Sequence, residues 1–344
     1  MAAPRDRPQT SPGGPSRRLV VGVLVVALTA IVLAAGFELR QPVRGATIPD
    51  DGDAKRTEKP DLTSPIPTFD HVYLIVLENH GLASVLGDPG APYLNSLIAK
   101  YGLATNYVAV ARPSQPNYIA LFGGSTRGIA DNENHDLSGR NLADQLEAHG
   151  RSWRVFAQNV PSGCFTGVEA SGGPDGTGAY SRKHEPAISF TDISSNPARC
   201  ANIVDFSHFD PAAADFELII PNRCNDMHDC AVDVGDRFLA GFVPRILDSP
   251  GFRAGGALFI TFDEGTENSS GGEQQVAMIV AGPGVPAGFR SNVQHTHYSL
   301  LRTIEDTFGL GCIDEDCDAN NMSEFFTAPG GPAISSSSSA APAP

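Results

Sequence analysis

The sequence of 344 residues predicts an α/β fold, a three-layer sandwich around a mainly parallel sheet. Three observations lead there. Runs such as 71–77, HVYLIVL, and 257–262, ALFITF, are apolar without alternation, as strands covered on both faces require. Segments with helical periodicity lie between such runs. Polar clusters follow the runs directly, and open α/β sheets collect reactive groups beyond the carboxyl ends of their strands.

In chain order, the strand 71–77 stops at Glu78-Asn79-His80, and 92–102 reads as a helix with Leu94, Leu97, Ile98 and Tyr101 on one face, stopped by Gly102. A strand over 105–111 leads to Ser114. A short helix is expected over 141–150 and a strand over 153–158. Residues 161–187, rich in Gly, Ser and basic side chains, read as an insertion over the active face. The runs 216–221 and 257–262 are buried strands, with a helix over 231–247 between them that turns Val234, Phe238, Leu239 and Phe242 inward. A strand over 275–282 and a helix over 298–309, with Leu301, Ile304 and Phe308 aligned, close the body.

Charge and hydropathy divide the chain. Residues 1–18 are Pro-, Ser- and Arg-rich, a cytoplasmic tail, and Leu19–Phe37 is 19 residues without a charge, long enough to cross a bilayer behind Arg17 and Arg18. A signal anchor is favoured over a cleaved export signal, because no small-x-small site follows the apolar run; Arg17-Arg18 matches a twin-arginine signal only in part. Either way the body lies outside the cytoplasm, tethered to the membrane or secreted. A polar linker spans 38–68, the catalytic body 69–327, and a Ser- and Pro-rich tail 328–344. The net charge is −15, and the first 45 residues are net positive, so the body is more acidic still. Such a body excludes nucleic acid as a partner held by bulk electrostatics.

Six cysteines, all after the apolar segment, suit an oxidising compartment and up to three disulfides. Sequence does not fix their connectivity. Proximity favours Cys224 with Cys230 and Cys312 with Cys317, leaving Cys164 with Cys200; the alternative is a zinc site from Cys224, His228 and Cys230.

The stretch 111–121, ARPSQPNYIAL, places one hydroxyl between two prolines where a helix begins. Pro116 suits a first turn, so Ser114 reads as the N-cap, facing free backbone N–H groups at the positive end of the helix dipole. That position suits a phosphate. Glu78-Asn79, Ser114, Asn222 to His228 and Asp263-Glu264 all fall at strand ends, and carboxylates, an amide oxygen and an alkoxide form a hard-oxygen set for a divalent cation.

The segments LENHG (77–81), APYLNSL (91–97), RPSQPNYIALFGG (112–124), RKHEPA (182–187), IPNRCNDMHDC (220–230), TFDEG (261–265) and THYSLLRTIEDTFGL (296–310) resemble the bacterial phosphoesterase family, in the family's order. That family joins secreted acid phosphatases to phospholipases C within the alkaline-phosphatase-like superfamily. The resemblance implies an alkaline-phosphatase-like sandwich, metal ligation by Glu78, Asn79, Asp263 and Glu264, and Ser114 as a nucleophile forming a phosphoseryl intermediate. It puts His184 and His228 around the phosphate. Gly81 stands where the family usually has serine, and Glu264 where some members have aspartate.

Metal coordination would ionise the serine, and phosphoryl transfer rests on positioned positive charge and hydrogen-bond donors. The helix N-terminus, the metal, and Asn117 or a histidine could supply these. His184, then His228, is the candidate for protonating the leaving alcohol. One metal ion is expected rather than two; a second would be held by Asp226, His228 and His297. These readings make the chain a phosphomonoesterase acting on a small phosphate ester or a phospholipid, with a phospholipase C-type phosphodiesterase as the alternative. A catalytically silent surface protein is the reading from another class. A sulfatase is disfavoured, because Tyr118 stands where its nucleophile motif carries arginine.

Overall fold

A computed structural model describes residues 66–172, 178–266 and 274–327. The expected membrane segment, most of the linker and the tail lie outside them. Among the described residues no helix is long and apolar enough to cross a membrane.

The apolar runs form the strands they predict. They are β1 (Val72–Leu77), β2 (Gly102–Val108), β3 (Trp153–Ala157), β4 (Phe216–Ile220), β5 (Ala257–Phe262) and β6 (Gln275–Ala281). All residues of β1, β4 and β5 are buried, so these strands lack alternation. The order is β2-β6-β5-β1-β4-β3, extended at the two edges by Arg290–Ser291 and Ile203–Val204, with His295–Thr296 also on β2. β1 runs parallel to β4 and β5, and β3 to β4, while β6 is antiparallel to both β2 and β5. The sheet is therefore mixed and mostly parallel. Because two antiparallel steps restore direction, β2 points the same way as β1, and the carboxyl ends of β1, β2, β4 and β5 share one edge.

The longer helices are α1 (Pro92–Lys100), α2 (Ser114–Gly123), α3 (Leu142–Ala148), α4 (Val232–Leu247) and α5 (His297–Phe308). Asn141 caps α3 through a reciprocal pair of hydrogen bonds with Asp144. Leu300, Leu301, Ile304 and Phe308 form the buried face of α5. On α4 the buried set is Gly235, Asp236, Leu239, Phe242, Val243 and Ile246; Val234 and Phe238 lie at its border, Phe238 stacked on Phe206 and Phe242.

Two boundaries differ from expectation. β2 starts at Gly102, since α1 already ends at Lys100 with Tyr101 as its C-cap, and Gly102 pairs with Val280. Gly102 is demanded by packing: a Cβ there would meet the Phe325 ring at 2.6 Å. Ser114 is the first residue inside α2, with Pro113 as the N-cap. The three disulfides pair Cys164 with Cys200, Cys224 with Cys230, and Cys312 with Cys317. That pairing removes the zinc alternative, since Cys224 and Cys230 bond each other beside His228. Within 161–187, Glu169–Ala170 and Tyr180–Ser181 pair as a small antiparallel ribbon leading into Arg182–His184.

Candidate active site

Glu78, the residue after β1, is fully buried, and its two carboxylate oxygens are shared by two side chains of α2. Ser114 donates from Oγ to Glu78 Oε2 at 3.1 Å, and Tyr118 donates from its hydroxyl to Oε1 at 2.7 Å. The donors stand four positions apart, about one helical turn, so both hydroxyls project from one face of α2.

Asn79 turns the chain out of β1 in the left-handed region, φ 57°, which asparagine tolerates. Its backbone N–H donates to Asp263 Oδ1 at 3.0 Å, joining the ends of β1 and β5. The Asp263 carboxylate also lies near Ser114 and Glu78. Gly81, in the serine position of the family pattern, donates its N–H to Thr266 Oγ1 at 3.1 Å, so a threonine hydroxyl helps hold this turn.

His184 is buried between two acids, with Nε2 3.1 Å from Glu78 Oε1 and Nδ1 3.2 Å from Asp226 Oδ2. Its ring stacks on Tyr118, centroids 5.3 Å apart. Burial, then the charges of Lys183, His228 and Arg223, push the imidazole well below its ordinary pKa. His228, half-buried, bonds through Nδ1 to Asp229 Oδ1 at 2.6 Å, while Lys183 Nζ lies 3.1 Å from its Nε2.

Asn117 was expected to reach the phosphate, and its amide is engaged elsewhere. Oδ1 accepts from the N–H groups of Val110 and Ala111 at 3.1 and 3.0 Å, and Nδ2 donates to the carbonyls of Ala111 and Pro113 at 2.9 and 3.3 Å. It clamps the loop that carries Ser114.

The second-metal group does not come together as expected. His297 Nε2 donates to the Asp263 carbonyl at 2.6 Å, and Nδ1 accepts from the Tyr107 hydroxyl at 2.9 Å. Burial pushes this imidazole down to about 4, so it is neutral with both nitrogens engaged. Asp226 Oδ1 accepts from the His228 backbone N–H at 2.8 Å, and an ammonium next to His228 opposes a second cation there. Glu264 is buried opposite Arg112, 3.8 Å from its Nη1. Arg112 also donates to the carbonyls of Gly265 and Thr266 at 2.7 and 3.2 Å, tying the Ser114 loop to the Asp263 loop.

Three buried carboxylates converge here. Burial and the charges of Asp263 and Asp226 raise the Glu78 carboxyl well above its usual range; Asp226 is raised too, chiefly by burial, and Asp263 is pushed up to about 6. Asn79 Oδ1 and Asp263 Oδ2 are buried without a hydrogen-bond partner, and Asp226 Oδ2 and His184 Nε2 have only the imidazole–carboxylate contacts described above. Buried polar atoms are nearly always partnered, and hard oxygens with imidazole are the donor types that hold a divalent cation. Glu78, His184 and His228 bring ligand atoms within 4.8 Å of one another. The donor set fits a metal.

Comparison with known proteins decides the family. The model of the phosphoesterase family matches residues 88–311. The chain belongs to the phosphoesterase family. This phosphoesterase is similar to a phosphatidylinositol-3-phosphatase of Mycobacterium tuberculosis, 32% identical over 254 residues that cover 72% of this chain and 79% of the relative. A probable acid phosphatase of Kluyveromyces lactis is 27% identical over 321 residues, 88% of this chain and 75% of the relative. Among solved structures, a protein of the alkaline phosphatase superfamily from Vibrio parahaemolyticus has the same fold, with a TM-score of 0.52 at 11% identity over 75% of this chain and 71% of the other. The chain is thus a phosphoric ester hydrolase with an alkaline-phosphatase-like sandwich.

Sequence reasoning did not assign Tyr118, Tyr107, Arg112 or Lys183. Tyr118 had a signal, its spacing of four from Ser114 on a helix. Tyr107 and Arg112 act across the fold, on residues more than 150 positions away.

Proposed function

We propose that this phosphoesterase hydrolyses phosphate monoesters outside the cytoplasm, as an acid phosphatase-like enzyme whose nucleophile is Ser114. The observation that carries the reading is the bond from Ser114 Oγ to Glu78 Oε2, at 3.1 Å and beside a buried group of acids. It orients the hydroxyl and gives its proton an acceptor, so the Oγ lone pairs are left for phosphorus. Attack would form a phosphoserine and release the alcohol, and water would then free inorganic phosphate. Tyr118 fixes the Glu78 carboxylate, His184 keeps Glu78 and Asp226 in register, and Asn117 holds the loop that presents Ser114. His184, between Glu78 and Asp226, protonates the departing alcohol, and His228 shapes the site.

One divalent ion fits among Glu78, Asn79, Asp263 and Ser114, with Glu264 nearby in sequence; when bound it supplies the positive charge that stabilises the serine alkoxide and the phosphoryl oxygens. Lipid-borne monoesters belong to the substrate class, by similarity to the mycobacterial relative's named substrate.

The test is a panel of a simple phosphomonoester, a phosphoinositide, phosphatidylcholine and a simple diester, run with wild type and Ser114→Ala. Monoesters are expected to be cleaved fastest, and the variant to lose about a thousand-fold or more. Faster diester cleavage would make the chain a phospholipase C-type enzyme, and full activity in the variant would remove the nucleophile.

A further inference from the structure

Resting on the reading of Ser114 as nucleophile, we propose that Lys183 is the fixed cation for the substrate's phosphoryl group, donating to a non-bridging oxygen, and that His228 is the positioning residue that aims it. Lys183 lies on the single turn Arg182–His184, whose flanks are locked. Arg182 donates to the carbonyls of Thr166 and His135 and to Asp136 Oδ1, at 2.9, 3.0 and 3.0 Å. Glu185 accepts the N–H groups of Ala187 and Ile188 at 2.9 and 3.0 Å. The half-buried lysine between them is therefore held at its backbone, and only its side chain needs aiming.

His228 provides that aim. Arg223 donates to Asp229 Oδ1 at 2.9 Å, and His228 Nδ1 donates to the same oxygen at 2.6 Å. With its proton on Nδ1, His228 turns the lone pair of Nε2 to the Lys183 ammonium at 3.1 Å. The disulfide Cys224–Cys230 closes the loop that carries His228. An ammonium has three donors, and this contact takes one.

The position is the right one for a phosphate. His228 belongs to the cluster in which its ligand atom, that of His184 and that of Glu78 lie within 4.8 Å of one another, and Glu78 holds the nucleophile. Lys183 acts on both Glu78 and Asp226, favouring their charged forms. Three carboxylates repel a phosphate dianion; a lysine at their rim supplies attraction where a second metal is opposed. Since a monoester carries one more negative charge than a diester, Lys183 should favour monoesters.

The test measures the inhibition constant of inorganic phosphate, and kcat/KM for a monoester and a diester, in the metal-loaded protein and in Lys183→Met, Lys183→Arg, His228→Gln and Ser114→Ala. Lys183→Met should weaken phosphate by about ten-fold or more, the effect of losing a charge-assisted hydrogen bond, and should slow the monoester more than the diester. Lys183→Arg should recover part of the loss, and His228→Gln should fall between. Unchanged phosphate inhibition in Lys183→Met overturns the proposal, as does an arginine variant no better than methionine. If Lys183→Met folds poorly, an unchanged phosphate constant in both Lys183→Arg and His228→Gln overturns it instead. An inactive Ser114→Ala beside an unaffected Lys183→Met sinks this inference alone, whereas an active Ser114→Ala sinks the reading beneath it.

Discussion

Tyr118 donates its hydroxyl to Glu78 at 2.7 Å from one turn beyond the serine that donates to the other oxygen of the same carboxylate. Two hydroxyls on one helix thus fix an acid at the end of the central strand. Burial and the neighbouring acids keep the phenol well above its ordinary pKa, so it stays a donor. Tyr118→Phe keeps the ring that stacks on His184 and removes the bond. We expect kcat to fall about ten-fold, as for one hydrogen bond to a charged group, with the thermal midpoint little changed. Steady-state kinetics beside a melt checks this.

Asn117 serves the loop, so its truncation should unfold before it misbinds. Asn117→Ala leaves the Val110 and Ala111 N–H groups without their acceptor. Both donors are part-buried, so leaving each bare costs about 1 kcal/mol, the low end of the range for a buried one. Urea unfolding should show a loss of at least that size, with activity falling alongside; a variant as stable as wild type with a raised KM would restore Asn117 to the phosphate.

This contrast shows what the sequence made legible. Continuous apolar runs are their own signal, so β1, β4 and β5 were readable, and the reactive groups behind them follow from a rule about strand ends. Spacing favoured the disulfides Cys224–Cys230 and Cys312–Cys317 and left Cys164–Cys200 as the remainder, without fixing the connectivity. The roles of Asn117 and His297 were not, because an amide or imidazole offers the same atoms to a ligand as to a backbone, and only the fold says which is nearer. His297 has its two nitrogens on the Asp263 carbonyl and the Tyr107 hydroxyl, contacts that no local spacing announces. The antiparallel β6 was also hidden, since a strand buried on both faces reads alike in either direction.

Glu217 makes stability depend on pH in a stated direction. It is buried in β4, with Oε1 accepting from the N–H groups of Ala213 and Ala214, and burial pushes its carboxyl from 4.5 up to about 8. The folded chain therefore keeps a proton that the unfolded chain gives up. This stability is complete below 4.5 and is lost as the pH rises through about 8. Glu217→Gln keeps the acceptor and cannot ionise. Its thermal midpoint should gain on wild type steadily from pH 5 to 8, and parallel curves would reject the account.

Removing the metal should act on both activity and folding. Chelation is expected to abolish turnover and to lower the thermal midpoint, because Glu78, Asp226 and Asp263 repel one another when ionised. Adding back a divalent cation should restore both. Equal turnover with and without chelator would place the chemistry on the side chains alone.

The central claim is that phosphorus passes through Ser114, and the direct measurement is acid quenching during turnover of a monoester, followed by peptide mass analysis. We expect one phosphoryl group on the peptide containing Ser114, present in wild type and absent from Ser114→Ala. Steady hydrolysis with no phosphopeptide at any quench time, or a phosphoryl group on another residue, would contradict it.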